Sequence, residues 1–300
     1  MRLNLKMLSW GAAAVTVFLV MPSCSNDEGI KLQDDGLIQE RGLTVGTPVS
    51  VGLIGLSPEN ELVSLLSGPP VQEVGRIPIT GLRGDEAIIA IDTRPKNKQL
   101  YGVSSSSILY RIDPVSGTAF PASLSGQPFS PAINGSLVGF DISPIDDVAR
   151  LITDLGQALR ISLTTGAVVG VDVLFNPSVV PINSIAFSTA TNSARATLYD
   201  LDASTGNLYK QSAYNGGSLA YVGATGFFFS GEGGFEITNT NSAFTVQYGR
   251  SRFPASGGGF GSNPPEDITQ DAYRLLNINL RTGQATSYGK VAPMIGLAVK

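Results

Sequence analysis

Ile89-Ala90-Ile91-Asp92, Val138-Gly139-Phe140-Asp141 and Ile185-Ala186-Phe187-Ser188 spell one pattern three times: apolar, small, apolar, polar. A weaker copy ends in Gly234-Phe235-Glu236. The third positions, 91, 140, 187 and 235, lie 49, 47 and 48 residues apart. A fixed period of this length marks a repeat architecture, in which each unit buries its apolar face only against its neighbours.

A second marker recurs with the first. Leu109-Tyr110-Arg111-Ile112-Asp113 precedes Ser116-Gly117-Thr118, and Leu159-Arg160-Ile161-Ser162 precedes Thr165-Gly166-Ala167. Leu198-Tyr199-Asp200-Leu201-Asp202 likewise precedes Thr205-Gly206-Asn207, and Leu276-Asn277-Ile278-Asn279 precedes Thr282-Gly283-Gln284. Alternating in-facing and out-facing residues read as a strand, and the glycine supplies the positive φ of a hairpin turn. With a strand like Gln99 to Val103 and another after each Ser/Thr-Gly turn, a unit holds four short antiparallel strands. That is the content of a propeller blade, so the expected fold is all-β, a β-propeller.

The ends of the repeat region bear on closure. Ile54-Gly55-Leu56-Ser57-Pro58-Glu59-Asn60-Glu61-Leu62-Val63-Ser64 resembles only the later part of a unit, and Ile295-Gly296-Leu297-Ala298 only a first strand. Joined in one shared blade, they close the ring and remove the free sheet edges. Four full units plus this composite give five blades, and the alternatives are six blades or an open repeat array.

Residues 1–23 read as a signal peptide. Arg2 and Lys6 form a positive start, and Met7 to Val20 is an apolar stretch shorter than the roughly 20 residues a membrane span takes. Met21-Pro22-Ser23-Cys24 resembles a lipobox, which makes Cys24 the expected lipid attachment site and the membrane a partner through that lipid. Cys24 is the only cysteine, so it has no disulfide or cluster partner. The polar Ser25-Asn26-Asp27-Glu28 and the following residues, 24–45 in all, read as a tether. They point to the outer membrane, exposed at the cell surface, and residues 46–300 form the repeat domain.

The chain has no histidine, which removes the usual general base and the usual zinc ligand. With 20 basic and 24 acidic residues it is mildly acidic, and without Arg2 and Lys6 the balance is 18 against 24. Nucleic acid is therefore not an expected partner.

Val148-Ala149-Arg150-Leu151-Ile152-Thr153-Asp154-Leu155-Gly156-Gln157-Ala158-Leu159-Arg160, with Gly55-Leu56, Ile91-Asp92-Thr93-Arg94-Pro95 and Gln99-Leu100-Tyr101-Gly102, is similar to an uncharacterised secreted bacterial family, DUF4394. The resemblance covers about residues 50 to 300, and Ala158 stands where that family tends to have asparagine. It implies a propeller-like fold and export, and it implies no activity.

Repeat-equivalent residues of a propeller lie at similar height around one axis, so Asp92, Asp141, Ser188 and Glu236 are expected to converge. In one reading Asp92, Asp141 and Glu236 are channel carboxylates that bind Ca²⁺ or act as acid and base on a glycosidic bond. In the preferred reading Asp92 and Asp141 open Asp-x-x-Pro turns and accept backbone N–H bonds, with Arg94 free to form a rim salt bridge. The last unit is the longest, and its surplus falls within residues 249–270. Arg250, Arg252, Phe253 and Phe260 there form a candidate binding loop. The recurring Tyr110, Tyr199, Tyr209 and Tyr221 read as blade packing rather than a sugar-stacking stripe. The function expected is a non-enzymatic envelope binding or scaffold module with a protein or glycan ligand, without a catalytic residue or resident cofactor. The alternatives are a carbohydrate-active hydrolase and a Ca²⁺-stabilised structural propeller.

Overall fold

The alternating segments form twenty strands in the computed structural model, which describes residues 50–300 except 124, 174–180, 189–195, 212, 214, 216–217 and 254–266. Cys24, the leader and the whole tether lie outside the described residues, and so does Phe260. No described residue is helical.

β1 (Gly52–Leu56), β2 (Glu61–Leu66) and β3 (Gln72–Pro78) are followed by β4 (Ile88–Thr93), β5 (Leu100–Ser104), β6 (Leu109–Ile112) and β7 (Ala119–Pro121). Next come β8 (Val138–Ile142), β9 (Val148–Thr153), β10 (Gln157–Ser162) and β11 (Val168–Val173). The fourth set is β12 (Ile182–Phe187), β13 (Leu198–Asp202), β14 (Asn207–Gln211) and β15 (Leu219–Ala224). The last is β16 (Phe227–Ile237), β17 (Ala243–Ser251), β18 (Ala272–Ile278) and β19 (Ala285–Lys290), before β20 (Gly296–Val299).

These strands make five four-stranded antiparallel sheets: β20-β1-β2-β3, β4 to β7, β8 to β11, β12 to β15 and β16 to β19, called blades I to V here. β4, β8, β12, β16 and β20 each touch the next in a closed cycle, so they are the inner strands of a five-bladed β-propeller. Blade I is the shared one. β20 pairs with β1 through Leu53 with Val299 and Leu56 with Gly296, which leaves no open seam in the ring.

The repeated motif has a packing reason. Inner strands are flanked on both sides, so β8 and β12 are buried at every residue, unlike a strand with one wet face. The small position lets them approach. A Cβ on Gly234 would lie 2.2 Å from the Leu297 amide nitrogen and 2.4 Å from the Gly296 carbonyl carbon. Five apolar clusters fill the five seams between blades; one joins Val103 and Leu109 of blade II to Phe140 and Leu151 of blade III. Burying each such side chain contributes about 2 kcal/mol.

The second marker is misplaced in one blade. In blades II, III and V the Ser/Thr-Gly turn joins the third and fourth strands, but Leu198–Asp202 is the second strand of blade IV and Thr205-Gly206 joins β13 to β14. The cause is turn chemistry shared by any hairpin of this shape. Asp113 Oδ1 accepts from Val115 N at 2.8 Å and Asp202 Oδ1 from Ser204 N at 2.7 Å, while Gly117 and Gly206 take φ of 74° and 63°. The marker therefore identifies a turn type, not a strand's rank.

Candidate binding site

Asp92, Asp141 and Glu236 stand at the ends of β4, β8 and β16, and all three are buried. They do converge on the axis, and each reaches the next blade around the ring. Ile142 N donates to Asp92 Oδ2 at 2.7 Å, Phe187 N to Asp141 Oδ2 at 3.3 Å, and Val299 N to Glu236 Oε2 at 3.2 Å. Asp92 Oδ1 also accepts from Thr93 N at 2.6 Å, and Thr93 Oγ1 donates back to Val299 O at 2.7 Å. The Asp-x-x-Pro turn itself is closed by backbone, with Arg94 N donating to Gln99 O at 2.9 Å. The repeated acid thus laces one blade to another, and only the Thr93 bond belongs to the local strand end.

At the other two repeat positions, Ser188 accepts from Thr197 N at 2.9 Å within blade IV, and Ala298 has no polar group. Arg94 and Asp147 form a two-pronged ion pair, Nε to Oδ1 at 2.7 Å, between blades II and III.

Burial, the first cause, pushes the Asp92 carboxyl up to about 6, against hydrogen bonds from Glu236, Ile142 and Thr93 that lower it. Glu236 is held well above the usual carboxylate range by burial, then by the Asp92 charge and the hydrogen bond with it, so the two carboxyls share a proton. Asp141 is raised by burial and by the charges of Asp92 and Glu236. Among the described residues no group of three or more His, Cys, Asp or Glu is arranged to hold a metal ion. The axial cavity between Ala90, Gly139, Phe140, Gly234, Phe235 and Leu297 measures about 10 Å³, room for about one water.

At the opposite end of the inner strands lies a larger cavity of about 220 Å³. Ile89, Val138, Ile133 and Ile295 wall it, and Ser105, Ser136 and Glu232 supply its polar groups, with Gly135 completing the lining. Ile89 precedes Asp92 by three residues, which places this mouth about 10 Å from the carboxylate trio along the strand.

The mouth is built before any ligand arrives. Asp154 Oδ1 accepts from Ser136 N at 2.9 Å and Leu137 N at 3.1 Å, and Gln157 grips both Asn134 N and Ala132 O at 2.8 Å. Ser107 Oγ accepts from Ile133 N at 3.0 Å. On the other side, the backbone carrying Glu232 rests on a buried polar network. Asn183 Nδ2 donates to Gly231 O at 3.0 Å and to Gln247 Oε1 at 2.9 Å; Gln247 Nε2 donates to Thr245 Oγ1 at 2.9 Å and Ser184 Oγ at 3.2 Å. Burial holds the Glu232 carboxyl above its ordinary value, and no cation pairs with it among the described residues.

Glu232 falls outside the repeat pattern. Its sequence signal is the run Gly231-Glu232-Gly233-Gly234, one acid inside a glycine cluster. There β16 is irregular between Phe229 and Gly233, and such breaks re-aim side chains.

The candidate loop is partly spent on structure. Arg250 pairs with Asp271 at 3.0 Å on the surface. The Arg252 guanidinium sits 4.4 Å from the Phe228 ring centre and donates to the Thr205 carbonyl of blade IV. Phe253 is 68% exposed. The tyrosines divide: Tyr110 is fully buried between blades I and II, Tyr199 packs between IV and V, and Tyr209 meets the exposed Tyr221 edge-on at 5.7 Å.

The sequence pattern of DUF4394, a domain of unknown function, matches residues 61–298. The chain belongs to the DUF4394 family. No curated protein compared with it matches. Among solved structures, this DUF4394 chain is similar to a structural genomics protein of unknown function from Bacteroides thetaiotaomicron, at 11% identity and a TM-score of 0.42, covering 66% of this chain and 53% of that one. It is also similar to an engineered GH43 glycoside hydrolase with endo-xylanase and exo-arabinofuranosidase activity, at 11% identity and a TM-score of 0.45, covering 83% of this chain and 56% of that one. The DUF4394 chain thus spans little more than half the length of either structure.

Proposed function

We propose that this DUF4394 chain is a non-enzymatic binding module of the cell envelope, held to the outer membrane by lipid on Cys24 and offering its channel mouth to a ligand. The observation that carries the reading is the cavity of about 220 Å³ at the mouth, with a preorganised wall and a carboxylate, Glu232, that no cation pairs with among the described residues. A rigid apolar cavity with a few placed polar groups is the usual form of a ligand site.

A binding role is favoured over a hydrolytic one because each axial acid has an oxygen committed to a backbone N–H of the next blade. Hydrolysis of a glycosidic bond would need two carboxyls roughly 5 to 9.5 Å apart around a sugar ring, and an axial cavity of about 10 Å³ holds no sugar.

The test screens the full chain against defined oligosaccharides and peptides beside Ser136→Trp, which fills the mouth. Binding by the wild type that Ser136→Trp abolishes supports the reading; ligands bound equally by both proteins contradict it. For the anchor, an alkyne-tagged fatty acid fed to expressing cells should label the wild type and not Cys24→Ala. Equal labelling of both would remove Cys24 from the proposal.

A further inference from the structure

Of the groups that line the mouth, Glu232 is the one that carries a charge. Ser105 Oγ already accepts from Ala87 N at 3.2 Å, and the loop amides are taken by Asp154, Gln157 and Ser107. Glu232 is exposed to solvent and carries a negative charge at the rim of an aliphatic cavity, with no cation opposite it among the described residues. A carboxylate so placed gains most from a ligand that brings a positive charge and a hydrogen-bond donor together.

The walls select the rest of the ligand. Ile89, Ile133, Val138 and Ile295 are branched aliphatic side chains, and among the described residues no aromatic ring lines the cavity. Sugar recognition commonly uses an aromatic face, whereas an unbranched alkyl stem packs well against isoleucine and valine. Lysine has this form: its methylenes lie along apolar surface while the ammonium stays at the edge near water. The chain's net charge of −4 also favours the approach of a cation.

We infer that the channel mouth takes a lysine side chain of a protein ligand, its methylene stem between Ile89, Ile133, Val138 and Ile295 and its ammonium on Glu232. The inference rests on the binding reading above and names the ligand of that same cavity. Asn183 and Gln247 are then positioning residues: they touch no ligand but fix the backbone on either side of Glu232.

The test is calorimetry of the full chain with Nα-acetyl-lysine methylamide, beside the norleucine analogue that lacks the ammonium, glucosamine and N-acetylglucosamine. The lysine compound is expected to bind at least tenfold more tightly than each of the others, and Glu232→Gln to weaken it at least tenfold with an unchanged melting temperature. Norleucine binding within threefold of lysine, or glucosamine binding as tightly, overturns the assignment to lysine. If Glu232→Gln destabilises the chain, Glu232→Asp serves instead. It keeps the charge one methylene back, so it should weaken binding less than Ser136→Trp does; equal loss in both would also overturn the inference. A neutral sugar that binds and is lost with Ser136→Trp, but not with Glu232→Gln, contradicts the lysine inference and leaves the binding module standing. No binding by any of these four compounds, nor by any oligosaccharide or peptide of the wider screen, overturns both.

Discussion

Glu236 of blade V shares a hydrogen bond with Asp92 of blade II, spanning the inner strand of blade I that lies between them. Its Oε2 also accepts from Val299 N of that same strand at 3.2 Å. One acid therefore ties three blades at the point where the two ends of the domain meet.

The tie depends on protons. Asp92, Asp141 and Glu236 all hold protons to higher pH when folded than unfolded. Their contribution is fully present below the unfolded carboxylate range, near pH 4, and is lost as pH rises through the folded values, about 6 for Asp92. Glu236→Gln keeps a donor toward Asp92 and cannot ionise. Its melting temperature relative to wild type should rise steadily between pH 5 and 8 in calorimetric scans; a difference independent of pH would contradict the shared proton.

Asp200 offers a simpler titration. It is fully buried, Gln211 Nε2 donates to its Oδ1 at 2.9 Å, and burial pushes it up to about 7. Its Oδ2 has no partner among the described residues. The raised value means stability is lost as pH passes upward through 7. Asp200→Asn should melt within about a degree of wild type at pH 5 and several degrees higher at pH 8.

Close approach of the inner strands sets the cost of a methyl group. Gly234→Ala should destabilise by about 1–3 kcal/mol in urea unfolding, because the new Cβ meets backbone of β20. Gly75→Ala is the control, with nothing within 4 Å of its Cβ, and should stay within about 0.5 kcal/mol of wild type.

Two arginines bridge blades with unequal effect. Arg94 and Asp147 are 20% and 34% exposed, and Arg94→Met should cost at most about 1 kcal/mol. Arg150 is 3% exposed and bonds Asp146 at 2.6 Å and Asn215 of blade IV at 2.7 Å. Arg150→Met should cost about 2–3 kcal/mol in the same unfolding assay.

The blade count was legible because every inner strand is under the same constraint: flanked on both sides, it must carry a small residue, as at Ala90, Gly139 and Gly234, beside large apolar ones. The acid after it recurs for a reason that a linear pattern hides, since its main partner lies a whole repeat further on, as Ile142 does for Asp92. Leu198-Tyr199-Asp200-Leu201-Asp202 misled because its turn suits any hairpin; its 39-residue distance from Leu159, well short of the period, was the available warning. Glu232 was legible only as one acid inside the glycine run 231–234, with nothing to mark it as part of a site. It sits in a strand irregularity, and its supports, Asn183 and Gln247, are 64 residues apart and meet only in the fold.

The most direct measurement is a paired one: calorimetric binding of Nα-acetyl-lysine methylamide and thermal unfolding, both on Glu232→Gln and Glu236→Gln. A binding mouth above a structural axis requires that Glu232→Gln lose binding at an unchanged melting temperature, and that Glu236→Gln change the pH dependence of melting with binding intact. Loss of binding in Glu236→Gln, with its melting profile unmoved, would place the working acids on the axis and contradict the division of labour proposed here.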